Sequence, residues 1–113
     1  MPPALRVLVV DDEAGLCELA CTWLSAMGHA PVGVLSPAEA LAKLPEGFDL
    51  LFTDVVMPGS MDGIALARCP GIRVLLASGY ARSLLDGSLT LPGPLLDKPY
   101  RKANLEAALR EFA

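Results

Sequence analysis

Five polar residues, Asp11, Asp12, Asp54, Ser78 and Lys98, stand at or just beyond the ends of short apolar runs, with Asp11 and Asp12 sharing one run. Three carboxylates brought within a few ångströms repel one another, and in a partly desolvated site at least one is driven toward protonation. A hard divalent cation removes that repulsion. Magnesium suits such an oxygen set, because it takes a few carboxylate and carbonyl oxygens, keeps several waters and is completed by phosphate oxygens. One carboxylate can then act as a nucleophile toward phosphorus while metal and lysine absorb charge on the transferring oxygens. The Lys98 ammonium would pair with Asp54 or with a phosphoryl group on it, and the Ser78 hydroxyl would donate to a phosphoryl oxygen. Taken singly, each residue has a plain structural role: the acid pair caps a helix, Asp54 opens a turn, Ser78 caps and Lys98 is solvated. The case for a site rests on all five together, each at the end of an expected strand.

The elements that must gather them are legible in the hydrophobic pattern. Apolar runs at residues 6–10, 48–53, 72–77 and 94–96, with a weaker one at 29–35, read as buried strands. Continuous runs of this kind suit a parallel sheet covered on both faces. Between them lie helical patterns. Leu16, Leu19, Ala20, Trp23, Leu24 and Met27 recur on one face before Gly28, where a helix would stop. Ser36, Pro37 and Glu39 form a start signal of cap, first-turn proline and third-position glutamate. Leu105, Ala108, Leu109 and Phe112 mark a last helix, while residues 62–69 and 80–93 leave room for two more, short or weakly patterned. Strand and helix alternating through five rounds call for a doubly wound α/β sandwich with right-handed crossovers. Such sheets bind ligands beyond the carboxyl ends of their strands, where the strand order reverses.

Composition narrows the classes. A chain of 113 residues, 53% hydrophobic and 19% charged, reads as one globular domain over residues 1–113. Its net charge of −4, with nine basic residues scattered among thirteen acidic ones, argues against direct nucleic-acid binding. No stretch approaches the roughly 18 apolar residues of a membrane span, and a cytoplasmic location is expected. Cys17, Cys21 and Cys69 show neither disulfide nor zinc spacing and are expected to be reduced thiols, although Cys17 and Cys21 lie four apart on a helix.

The segments VLVVDDE, LLFTDVVMPGSMDG, VLLASGY and LLDKPY, in that order and strand context, resemble the four signature segments of response-regulator receiver domains. The resemblance covers essentially the whole chain and implies a five-stranded, flavodoxin-like three-layer sandwich. It implies a phosphoacceptor switch of a two-component system that is not an enzyme in its own right. By it, Asp54 is the phosphoacceptor, Asp12 a direct Mg2+ ligand, Asp11 a ligand acting chiefly through water, and Val56 a ligand through its main-chain carbonyl. Ser78 is the hydroxyl that moves toward the phosphoryl group, and Lys98 the ion-pair partner ahead of a cis Pro99. Leu95 stands where the family usually carries an aromatic switch residue.

The implied partner is a sensor histidine kinase or a histidine phosphotransfer protein, with neither nucleic acid nor membrane engaged directly. A phosphorelay intermediate and the C-terminal receiver of a hybrid histidine kinase are variants of that reading. An aspartyl-phosphate phosphatase would need a second acid two residues past the nucleophile, where this chain has Val56. A docking module that is never phosphorylated would have no need of the complete acid set and Lys98.

Overall fold

A computed structural model describes residues 4–55, 72–78 and 94–110. Its strands β1 (Arg6–Val10), β2 (Ala30–Val34), β3 (Leu50–Asp54), β4 (Arg73–Ser78) and β5 (Leu95–Asp97) form one parallel sheet in the order β2-β1-β3-β4-β5. From β1 the chain steps out to β2 on one side and returns on the other for β3, so the winding reverses between β1 and β3. The doubly wound sandwich expected from the pattern, in the flavodoxin-like form that the resemblance implies, is the fold observed, and its switch point lies beyond the carboxyl ends of those two strands.

Side chains alternate between two cores. Val7, Val9, Leu50, Phe52, Leu75 and Ala77 pack with Cys17, Ala20 and Leu24 of α1 (Ala14–Ala26) and with Leu105 and Leu109 of α3 (Lys102–Leu109). On the opposite face Leu8, Val10, Leu51, Val74 and Leu76 pack with Val34 and with Ala40 of α2 (Pro37–Lys43). Each such leucine or valine contributes about 1.5–3 kcal/mol when fully buried, so the two faces together hold the sheet, and its strand ends, in a fixed frame.

The helix boundaries have local causes. α1 stops as expected at Gly28, whose φ of +92° disfavours a side chain. The Gly28 N–H donates to the Ser25 carbonyl at 3.0 Å and the His29 N–H to that of Leu24 at 3.0 Å, the paired closure of a Schellman motif. α2 begins at the cap read from sequence: the Glu39 N–H donates to Ser36 Oγ at 3.2 Å, and the Glu39 carboxylate reaches back to the Leu35 N–H at 3.4 Å. One 3-10 turn, Leu44–Glu46, follows it. The Arg101 N–H donates to Asn104 Oδ1 at 2.8 Å as α3 starts.

Several expectations need correction. Leu19 is 42% exposed and Cys17 takes its place on the inner face of α1, beside Ala20 and Leu24, which are buried as expected, and Trp23 and Met27, which pack half-buried against that core with Cys21. Strand β2 starts one residue later than the apolar run, because His29 is committed to closing α1 and its Nδ1 accepts the Leu5 N–H at 3.0 Å. Strand β3 starts at Leu50, since Asp49 is tied to Arg6 by its main-chain N–H and by its carboxylate, both at 2.8 Å, and Phe48 lies 5.0 Å under the Arg6 guanidinium. Strand β5 runs one residue further than read, to Asp97. The helices expected at 62–69 and 80–93, and Phe112, lie outside the described residues. Cys17 and Cys21 are free thiols as expected. Among the described residues no helix is long and apolar enough to cross a membrane.

Candidate functional site

The buried polar side chains of the described residues are Asp11, Thr53, Asp54 and Ser78, all at the carboxyl ends of β1, β3 and β4. Burying polar groups is unfavourable unless they are partnered, and their confinement to one rim of an otherwise apolar sheet marks that rim as the place where chemistry is kept. Asp11 is the first residue past β1, and its N–H donates to the Val34 carbonyl at 3.2 Å, which anchors it to the strand ladder. Asp54 is the last residue of β3, in register with Ala77, and Ser78 follows as the last residue of β4. Ser78 is fully buried.

One carboxylate oxygen from each of Asp11, Asp12 and Asp54 lies within 4.8 Å of the others, with Asp11 and Asp54 buried and Asp12 exposed. The Asp11 carboxylate has two duties already. Its Oδ1 accepts the Glu13 N–H at 2.9 Å, which substitutes for a side-chain cap on α1, and its Oδ2 accepts from Lys98 Nζ at 3.0 Å. The Lys98 ammonium also reaches Asp54 Oδ2 at 3.2 Å, so a single cation is shared by two acids. Burial is the largest influence on Lys98 and pulls its pKa down, but the hydrogen bond to Asp11 and the charges of Asp54 and Asp11 outweigh it, and the net shift is upward. Lys98 is itself fixed by its N–H, which donates to the Ser78 carbonyl at 2.9 Å, and its bond to Pro99 is cis.

Behind the acids stands an aromatic wall. Tyr100 is buried, with its ring 5.6 Å from Phe52 and 6.1 Å, edge-on, from Trp23. Burial first, and then the negative charge of Asp11, push the Tyr100 phenol well above its ordinary range, so this floor of the site stays neutral.

The structure thus brings together Asp11, Asp12, Asp54 and Lys98, and sets Ser78 on the neighbouring strand end. Val56 lies outside the described residues. Sequence reasoning paired Lys98 with Asp54 but missed its contact with Asp11, for which no linear signal exists: β5 is at the sheet edge, and Lys98 reaches across β4 and β3 to the end of β1.

No protein-family model matches the chain. The response regulator receiver protein CpdR of Brucella abortus is 31% identical over 108 residues, which span 88% of this chain and 89% of that protein. This chain belongs to the response-regulator receiver family. The response regulator protein FleR of Pseudomonas aeruginosa is 41% identical over 83 residues, or 68% of the chain, but the receiver spans only 17% of that longer protein. A CheY-like receiver domain of Methylobacillus flagellatus superposes with a TM-score of 0.81 over 98% of this receiver and all of that chain, at 22% identity, which speaks for the fold alone. Receiver domains of this family are signalling modules.

Proposed function

We propose that this receiver accepts a phosphoryl group on Asp54, with Mg2+ held by Asp11, Asp12, Asp54 and the Val56 carbonyl, from a phosphohistidine of a sensor histidine kinase or a histidine phosphotransfer protein. The observation that carries the reading is the convergence of three carboxylates within 4.8 Å at the switch point, offset by one shared lysine. That donor set fits the metal: all ligands are hard oxygens, and three negative charges against one ammonium leave a deficit that a divalent cation makes good. When bound, magnesium supplies positive charge to the oxygens of the transferring phosphoryl group.

The chain's own residues supply the rest. An Asp54 oxygen attacks phosphorus as the bond from phosphorus to the donor histidine nitrogen breaks, and that nitrogen keeps the electron pair and takes up a proton. Lys98 exchanges its contact with the Asp54 carboxylate for one with the phosphoryl oxygens, which holds the new anhydride in place. The Ser78 hydroxyl donates to a phosphoryl oxygen. Asp12 is exposed, whereas Asp11 is buried and engaged with Glu13 and Lys98. This division supports a direct metal contact for Asp12 and a water-mediated one for Asp11.

Incubation with a small acyl phosphate and Mg2+, followed by intact-mass measurement, tests the reading. The mass should rise by one phosphoryl group, and both chelation and Asp54→Asn should abolish the gain. Persistent phosphorylation of the Asp54→Asn variant overturns it.

A further inference from the structure

Away from the acids, two thiols share one small space. Cys17 and Cys21 lie one helical turn apart on α1, on the side facing β2. Opposite them is Gly33, inside β2, where glycine weakens a strand and often marks the close approach of another group. A Cβ on Gly33 would stand 2.8 Å from Cys17 Sγ and 3.1 Å from Cys21 Sγ, so sulfur occupies the volume that a side chain would need. Both sulfurs therefore lie within 3.1 Å of one point, and are no more than about 6 Å apart. Cys17 is buried, with its Sγ 3.9 Å and 3.7 Å from the carbonyl oxygens of Val9 and Val34, while Cys21 is half-buried and opens the pair toward solvent.

Geometry separates the possible uses of such a pair. A disulfide needs Cβ atoms about 3.8 Å apart, whereas residues four apart on a helix hold theirs about 5–6 Å apart, so a direct bond would force α1 to unwind. An ion between the two sulfurs asks for no such bond between them. With metal–sulfur bonds of about 2.3 Å, two sulfurs on one ion stand about 3.8 Å apart at a tetrahedral angle and about 4.6 Å apart when linear. Zinc in a structural site takes four protein ligands, and the described residues offer two sulfurs here. Soft thiolates favour copper(I), which is content with two.

We propose that Cys17 and Cys21 form a two-thiolate site for a soft monovalent ion of the copper(I) class. Binding forms two metal–sulfur bonds and breaks two S–H bonds, releases two protons, leaves a complex of charge −1 and involves no electron transfer. Cys21, the more exposed of the two, is the entry ligand, and the buried Cys17, whose Sγ faces the Val9 and Val34 carbonyls, gives up its proton when the ion arrives. The site is one backbone link from the acids, because the Val34 carbonyl beside Cys17 also accepts the Asp11 N–H.

The test is anaerobic titration of the full reduced chain with copper(I) held by a chromophoric chelator, with native mass spectrometry for stoichiometry. One ion per chain is expected. Cys21→Ser and Cys17→Ser should each weaken binding at least about 100-fold, beyond what loss of outer-shell support produces, while Cys69→Ser leaves it unchanged. Gly33→Ala should weaken it about 10-fold, with the helical circular dichroism retained. Cys21 is half-exposed, so its variant keeps the fold and decides the matter if Cys17→Ser unfolds. Failure to draw the ion from the chelator, unchanged affinity in Cys21→Ser, or loss of binding in Cys69→Ser overturns the proposal.

Discussion

Replacing Lys98 by methionine keeps an unbranched stem of similar length and removes the ammonium that Asp11 and Asp54 share at 3.0 Å and 3.2 Å. At such separations and an effective dielectric constant of about 20, each pair attracts by about 5 kcal/mol. Desolvation of the charges cancels most of that. The side chains of Lys98, Asp11 and Asp54 are only 13%, 7% and 8% exposed, so solvent screens little of the remainder. What the substitution leaves behind sets the outcome: two buried carboxylates without their cation. Removing one partner of a buried pair destabilises by about 3–5 kcal/mol, and that is the loss expected for Lys98→Met at pH 7 in chelator. Magnesium should recover part of it, since a ligand at about 100 times its Kd adds about 2.7 kcal/mol. The variant should gain more from magnesium than the native chain does, because no ammonium competes for the Asp11 and Asp54 oxygens. Urea unfolding followed by Trp23 fluorescence measures both quantities, as Trp23 packs edge-on against Tyr100 in the folded state. A loss under about 1 kcal/mol in chelator, or a larger magnesium gain in the native chain, would refute the reasoning.

Three further outcomes follow from the same contacts. Asp12→Ala should weaken Mg2+ binding more than Asp11→Ala, while Asp11→Ala should lower stability in chelator more, because Asp11 alone of the two supports Glu13 and Lys98; calorimetric titration and urea unfolding should show this crossed pattern, and parallel effects would count against the division of roles. The folded-state pKa values of Tyr100 and Lys98 both lie above their ordinary values of 10.0 and 10.5, the first through burial and the second because its carboxylates outweigh burial. Above pH 10 the unfolded chain therefore loses protons that the folded chain keeps, and stability present in full below that pH should fall, by up to about 1.4 kcal/mol per pH unit for each group; Tyr100→Phe should flatten the fall just above pH 10, and an unchanged slope would remove Tyr100 from the account. Ser36→Ala deletes the acceptor of the Glu39 N–H and should cost about 1 kcal/mol of unfolding free energy, measured in urea.

Much of the fold and the site was legible because both depend on short-range rules. Period and polarity placed the five strands to within a residue or two, Gly28 and Ser36 marked helix ends through requirements of the backbone itself, and a polar residue closing each apolar run can point only toward the rim where parallel strands end. Asp11, Asp12, Asp54 and Lys98 could therefore be grouped before any coordinate was known. Tertiary structure decided what spacing cannot encode. Whether Leu19 or Cys17 faces the sheet turns on the rotation of α1 against β2, and the closeness of Gly33 to both sulfurs settles that rotation in favour of the cysteines. Strand order is likewise invisible in one dimension, yet it determines that a lysine after β5 meets an aspartate after β1. Residues 87 positions apart become partners only when the sheet is assembled, because an ion pair is fixed by distance in space, and the sequence holds no local signal of it.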